Sequence, residues 1–260
     1  KEFPSLSTLK SCEVMNSDGG GIAWNEKNKS GEIVTKFRKG LTATQINNLI
    51  VNKTVKIPAV IHFRIATVGD AKKQLTHPFV ISQDSRLDLA GIIDYKKEDG
   101  LLFHNGTVSE YKDILKQSLI ASNSKMLKGE FSDSRIMAFI SYLYGHEFLK
   151  LVEGWNKFCI LDKTGITKYG NWVNIQKGVN GSNDYFKSSF HGNMYSDEDD
   201  FMYKPNHRTY TKKDIDDELK EAREDIEEVK EDFTELKDED EISLIKEFDE
   251  KNSRRELKEL

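Results

Sequence analysis

Arg64, Thr67, the dipeptide Asn105-Gly106 and Asp133 carry the functional groups in this sequence best suited to chemistry. Arg64 closes an apolar run, Ile57 to Phe63, and a guanidinium delivered there must meet an anion or be very costly to bury. It therefore asks for a carboxylate. Thr67 adds a hydroxyl three residues on. Asn105-Gly106 follows the short apolar stretch Leu101 to His104 and is also among the commonest hairpin-turn dipeptides. Asp133, between Ser132 and Ser134, stands where a helix cap is needed ahead of Ile136, Phe139, Ile140 and Leu143.

Neither cysteine competes for a reactive role. Cys12 falls at a helical position with no neighbouring base in sequence, and Cys159 is flanked by Phe158 and Ile160 in a strand. Both read as small hydrophobes. Their separation excludes a disulfide framework and any metal-ligand spacing, and favours a reducing, cytoplasmic setting. His62, His77 and His104 lack a carboxylate or cysteine at ligand spacing, so no metal site is expected.

The elements that must position these residues follow from periodicity. Ser5 to Met15 reads as a helix capped by Ser5 or Ser7, and Asn16 to Gly21 breaks it. Ile22 to Trp24 and Ile33 to Lys39 read as strands, and Thr42 or Thr44 caps a helix to about Val51. Ala59 to Ile65 is expected as the central strand, with a loop from Val68 to Leu75 and a returning strand from Pro78 to Ser82. Asp84 to Tyr95 reads both ways. Leu101 to His104 is a strand, and Tyr111 to Leu119 and Ser134 to Leu143 are helices, the second capped by Ser132 or Asp133. Phe158 to Leu161, Ile166 to Tyr169 and Trp172 to Ile175 form a meander. Blocks of strands and helices in this order suit an α+β fold, an antiparallel sheet pair covered by helices.

Composition sets the outer limits. The 260 residues suit one large domain with or without an appendage, and 37% hydrophobic content supports a core. No apolar run reaches the roughly 18 to 20 residues of a membrane span. Residues 211–260 hold 11 Lys+Arg against 21 Asp+Glu, and residues 1–210 hold 28 against 23. The excess of +5 on the body is too small, without a basic stripe, to imply nucleic acid. Residues 196–211 are polar and acidic and read as a linker. Ile215, Leu219, Ala222, Ile226, Val229, Phe233 and Leu236 then recur at steps of 4 and 3, so 212–260 is expected as an acidic helical tail, either a coiled coil or an amphipathic helix folded onto the body.

His62-Phe-Arg64-Ile-Ala-Thr67-Val-Gly69, His77-Pro78-Phe79, His104-Asn105-Gly106 and Ser132-Asp133-Ser134 occur in that order. Asp18-Gly19-Gly20-Gly21-Ile22-Ala23-Trp24 precedes them, and Asn171-Trp172 with Gly178 to Asn183 closes the set. The pattern resembles the class II glutamine amidotransferase domain, of N-terminal-nucleophile type, and more closely its small stand-alone, often phage-encoded versions. The resemblance covers roughly residues 5 to 190. It implies the four-layer αββα sandwich of two antiparallel sheets over residues 1–195, followed by the linker and tail.

It also implies roles. Arg64 and Thr67 hold the α-carboxylate of glutamine, Asp133 its ammonium, and the Asn105 amide and Gly106 N–H donate to the oxyanion. No cofactor is implied. The family's nucleophile is an amino-terminal cysteine, whereas this sequence opens on Lys1 without the first strand, and Met15 stands where several members carry an arginine. A cysteine ahead of Lys1 makes the chain a glutaminase or amidotransferase that hands ammonia to a partner synthase; its lack makes it a binding or structural module of the same fold, as in a phage assembly. Either way, residues 212–260 are the expected docking element, for an acceptor enzyme or for a second copy.

Overall fold

The computed structural model describes residues 3–65 and 72–185. Helix α1 (Leu6–Met15) starts at Ser5, whose hydroxyl accepts from Thr8 N. Strands β1 (Gly20–Lys27) and β2 (Ile33–Leu41) pair antiparallel and lead into α2 (Ala43–Val51). Thr42 and Gln45 close a reciprocal capping box on α2. Glu13 Oε1, reaching over from α1, accepts from Ala43 N at 3.0 Å and satisfies another open donor of that helix start.

Strand β3 (Ala59–Phe63) pairs with β1, β4 is Phe79–Ile81, and β5 (Ala90–Ile92) pairs with β2. β6 (Gly100–Asn105) precedes α3 (Tyr111–Ser122) and α4 (Asp133–Tyr144), the latter capped by Ser132, whose hydroxyl accepts from Arg135 N. β7 (Lys157–Asp162), β8 (Gly165–Tyr169), β9 (Val173–Gln176) and β10 (Val179–Gly181) follow. One sheet has the order β3-β1-β2-β5 and the other β4-β6-β7-β8.

Side-chain alternation sorts the core into layers. Leu9, Ile22, Trp24, Ala43, Ile46 and Phe63 join α1 and α2 to the outer face of the first sheet. Ala23, Phe37, Val80, Leu101, Phe103 and Leu161 fill the space between the sheets. Phe79, Ile81, Leu102, Phe158 and Ile160 face α3 and α4. Both faces of each sheet are covered, which gives the four-layer αββα arrangement and explains why β6 reads as a continuous apolar run. Burying each large apolar side chain contributes about 1.5 to 3 kcal/mol.

Two expectations need correction. β3 is an edge strand, not the central one, because among the described residues β1 is its sole partner in the sheet. The meander ends at β8: β9 pairs with β10 in a separate hairpin. Of the two readings of Asn105-Gly106, the hairpin turn drops out, since the chain runs from β6 through Thr107 and Val108 into α3. The closing hairpin from residues 171 to 183 does form, and β5 resolves the ambiguous stretch. Thr67, the expected linker 196–211 and the expected tail 212–260 lie outside the described residues.

Candidate active site

The strands β3 and β6 bring two of the chemistry-bearing segments to neighbouring ends of the facing sheets. Their link is His62, whose ring lies near enough to His104, on β6, for each to act on the other's charge. Arg64 lies just beyond β3, 4% exposed, where Asp18 N donates to its carbonyl and its own N–H donates to Gly19 O, each at 3.0 Å. Its Nη1 stands 3.9 Å from Asp18 Oδ2, a carboxylate at the long limit of an ion pair.

Asn105 ends β6, and its amide Nδ2 donates to Ser182 Oγ at 2.9 Å, tying it to the β10 end of the closing hairpin. Gly106 follows with φ +136°, a backbone conformation side chains rarely adopt. A Cβ there would stand 2.2 Å from Asn156 Oδ1. Both features demand glycine.

Asp133 is the first residue of α4 and 5% exposed. Its Oδ2 accepts from Val108 N at 3.0 Å and its Oδ1 from Ser134 N at 2.8 Å. The carboxylate thus clamps the segment after Gly106 onto the start of α4, where the helix's positive end favours negative charge. His104 Nδ1 lies 3.7 Å from Asp133 Oδ2 and 2.9 Å from Ser134 Oγ. Asn105, Gly106 and Asp133 therefore belong to one connected cluster, and Arg64 joins it through His62 and the β3 end.

The three motif histidines are all buried bases held neutral. Burial pushes the His62 imidazole down to about 3, helped by the nearby His104. Burial also drives His77 well below the ordinary value, and lowers His104 against the opposing pull of the Asp133 carboxylate. The His62 and His77 rings lie 4.0 Å apart, and His62 Nδ1 and both His77 nitrogens have no hydrogen-bond partner among the described residues.

Gly21 makes room for this arrangement. It pairs with both Lys39 and His62, and a Cβ on it would stand 1.7 Å from the His77 carbonyl oxygen. The segment before β4 therefore rides directly over a bare stretch of β1.

Neither thiol is activated. Burial raises Cys12, and pushes Cys159 up to about 12. Among the described residues, no group of three or more His, Cys, Asp or Glu is placed to hold a metal ion. An open groove of about 510 Å³, lined by residues such as Glu32, Asp94, Tyr95 and Lys163, lies on the β2 and β5 side of the molecule.

Sequence reasoning missed Asn156, Ser182 and Arg135. Arg135 is 2% exposed and donates from Nε to Ser85 O and from Nη2 to Asp84 O, each at 2.9 Å, and from Nη1 to Glu130 O. It pins the loop after β4 to the start of α4. Its position two residues after Asp133 was the available signal.

Residues 2–121 match the family described as class-II glutamine amidotransferases. Over that stretch the chain is similar to the family. The matched stretch contains Asp18, Arg64, His77, Asn105 and Gly106, and Asp133 lies beyond it. No curated protein matched the chain significantly. The family makes glutamine the implied substrate, and no helix among the described residues is long and apolar enough to cross a membrane.

Proposed function

We propose that this class II amidotransferase domain releases ammonia from glutamine for use by a separate synthase. The observation that carries this reading is a buried Asp133 whose carboxylate clamps the segment after Asn105-Gly106, together with a buried Arg64 just beyond β3. A cation and an anion so placed suit the carboxylate and ammonium of an amino acid, with Thr67 as a further hydroxyl for the carboxylate. The side chain of the substrate then projects toward the Asn105 amide and the Gly106 N–H. A tetrahedral oxyanion gains most from such preorganised donors.

The nucleophile on this reading is a cysteine ahead of Lys1, as in the family, acting with its own α-amino group as base. The heptad spacing from Ile215 to Leu236 supports a docking role for residues 212–260, toward the acceptor enzyme or a second copy.

A second reading rests on the thiols. With Cys12 and Cys159 both held as unreactive thiols, the described residues themselves supply no sulfur nucleophile, which suits a glutamine-binding or structural module. One assay separates the two. The natural polypeptide, its N-terminus fixed by intact mass, is mixed with glutamine, and binding and ammonia are measured together. Steady ammonia release that an alkylating agent abolishes supports the enzyme, whereas binding without ammonia selects the module. Absence of glutamine binding removes the enzyme and the glutamine-binding module and leaves the structural one.

A further inference from the structure

Asn156, in the turn between α4 and β7, touches the candidate site at two points. Its Nδ2 donates to Val152 O at 2.9 Å, so its Oδ1 is the atom turned toward His104 Nε2, 3.0 Å away. The opposite amide orientation would set two oxygens against each other at Val152. That same Oδ1 occupies the space where a Gly106 side chain would begin.

We propose that Asn156 is a positioning residue: its carbonyl oxygen holds His104 as the Nε2–H tautomer and braces the Gly106 backbone from below. An amide oxygen only accepts, so Nε2 must carry the proton. A neutral imidazole then leaves Nδ1 as an acceptor, and the Ser134 hydroxyl, 2.9 Å away, donates to it. The remaining geometry agrees. Ser134 Oγ stands farther from Asp133 Oδ1, at 3.3 Å, and His104 Nδ1 is kept 3.7 Å from Asp133 Oδ2.

The consequence falls on Asp133. With the imidazole proton directed to Asn156, the carboxylate is engaged by the Val108 and Ser134 N–H groups and not by His104. Its remaining lone pairs point to a ligand ammonium, which a competing imidazole N–H would partly satisfy. Asn156 thus governs two things through one oxygen: the attitude of the Gly106 N–H and the availability of Asp133.

This inference deepens the glutamine reading, but its primary test does not depend on it. Long-range nitrogen–proton NMR of the histidine side chains, on the full chain at neutral pH, reads the tautomer of His104 directly. The expected result is a protonated Nε2 and an unprotonated Nδ1; a protonated Nδ1 overturns the proposal in the unaltered protein, whether or not any variant folds. In Asn156→Leu the acceptor is gone, and the His104 tautomer should shift toward Nδ1–H. Asn156→Asp keeps an oxygen at the same place and should retain Nε2–H. An unchanged tautomer in folded Asn156→Leu also overturns the idea. If glutamine binds, Asn156→Leu should lose on the order of tenfold or more in glutamine affinity or turnover, as misplacement of site groups typically does, and Asn156→Asp should recover part of it. Correct tautomers with no glutamine binding by the unaltered chain would instead fault the substrate assignment alone.

Discussion

Lys39 Nζ donates across the sheet interface to the carbonyl oxygen of Pro78, 3.3 Å away, from a side chain that is 3% exposed. Burial, reinforced by the Arg135 charge, pushes this ammonium down to about 7. The unfolded chain therefore holds a proton on Lys39 between pH 7 and its ordinary value of 10.5 while the folded chain does not. Stability contributed by this group rises with pH across that window, by roughly 5 kcal/mol at full extent. Lys39→Met should be more stable than the parent at pH 6.5 to 7, and its advantage should shrink as pH rises toward 10. Urea unfolding at four or five pH values checks the slope, and parallel curves would remove Lys39 as its cause.

The buried histidines act at the other end of the scale. His62 is held down to about 3, and His77 and His104 are also lowered, so an unfolded chain takes up protons on them below about 6.5 that the folded chain refuses. Stability is then lost as pH falls below about 6.5. Thermal melts from pH 7 to pH 4 should show a steep decline. His77→Phe, which keeps an aromatic ring beside Phe79 and Phe103, should flatten it. It should also gain stability at neutral pH, because two buried nitrogens without protein partners disappear.

Arg135 should prove a stability determinant. Its guanidinium serves the carbonyls of Asp84, Ser85 and Glu130, and Arg135→Ala strands all three while opening a cavity. A loss of about 3 to 5 kcal/mol is expected. Chemical denaturation measures it, with proteolysis near residues 84 and 130 as a local readout. A loss below about 1 kcal/mol would mean that the loop finds other partners.

Two site variants test the substrate assignments. Arg64→Ala should weaken glutamine binding by about 2 to 5 kcal/mol, the range for truncating one partner of a desolvated charge pair. Calorimetry showing unchanged affinity would take Arg64 out of the site. Asn105→Ala should leave binding largely intact and cut ammonia release by on the order of 10² to 10³, as loss of an oxyanion donor does. If turnover survives, the Asn105 amide serves Ser182 and not the reacting oxygen.

Much of this architecture was legible in the residue order because it is local. Ser5, Thr42 and Ser132 cap helices because a side-chain hydroxyl reaches an N–H three residues on, a relation that sequence spacing alone specifies. The apolar runs around Ile22, Val60 and Leu101 mark strands. The order of the short motifs was enough to suggest the family and with it the paired sheets. The candidate site was legible as residue types: an arginine after an apolar run, an Asn-Gly pair, an aspartate at a helix start.

Tertiary structure decided what those residues touch. Whether β3 is a central or an edge strand depends on partners distant in sequence, and the apolar content of residues 57–63 is the same in both cases. Lys39 follows Lys36 and Arg38 and resembles a solvated strand end until the register places it opposite Gly21 and under the Pro78 carbonyl. Asn156 sits in an ordinary polar turn, between an exposed Trp155 and β7, and nothing in its neighbours marks it. Only the packing of that turn against the end of β6, 50 residues earlier than Asn156 at Gly106, gives its oxygen a histidine to hold and a glycine to support.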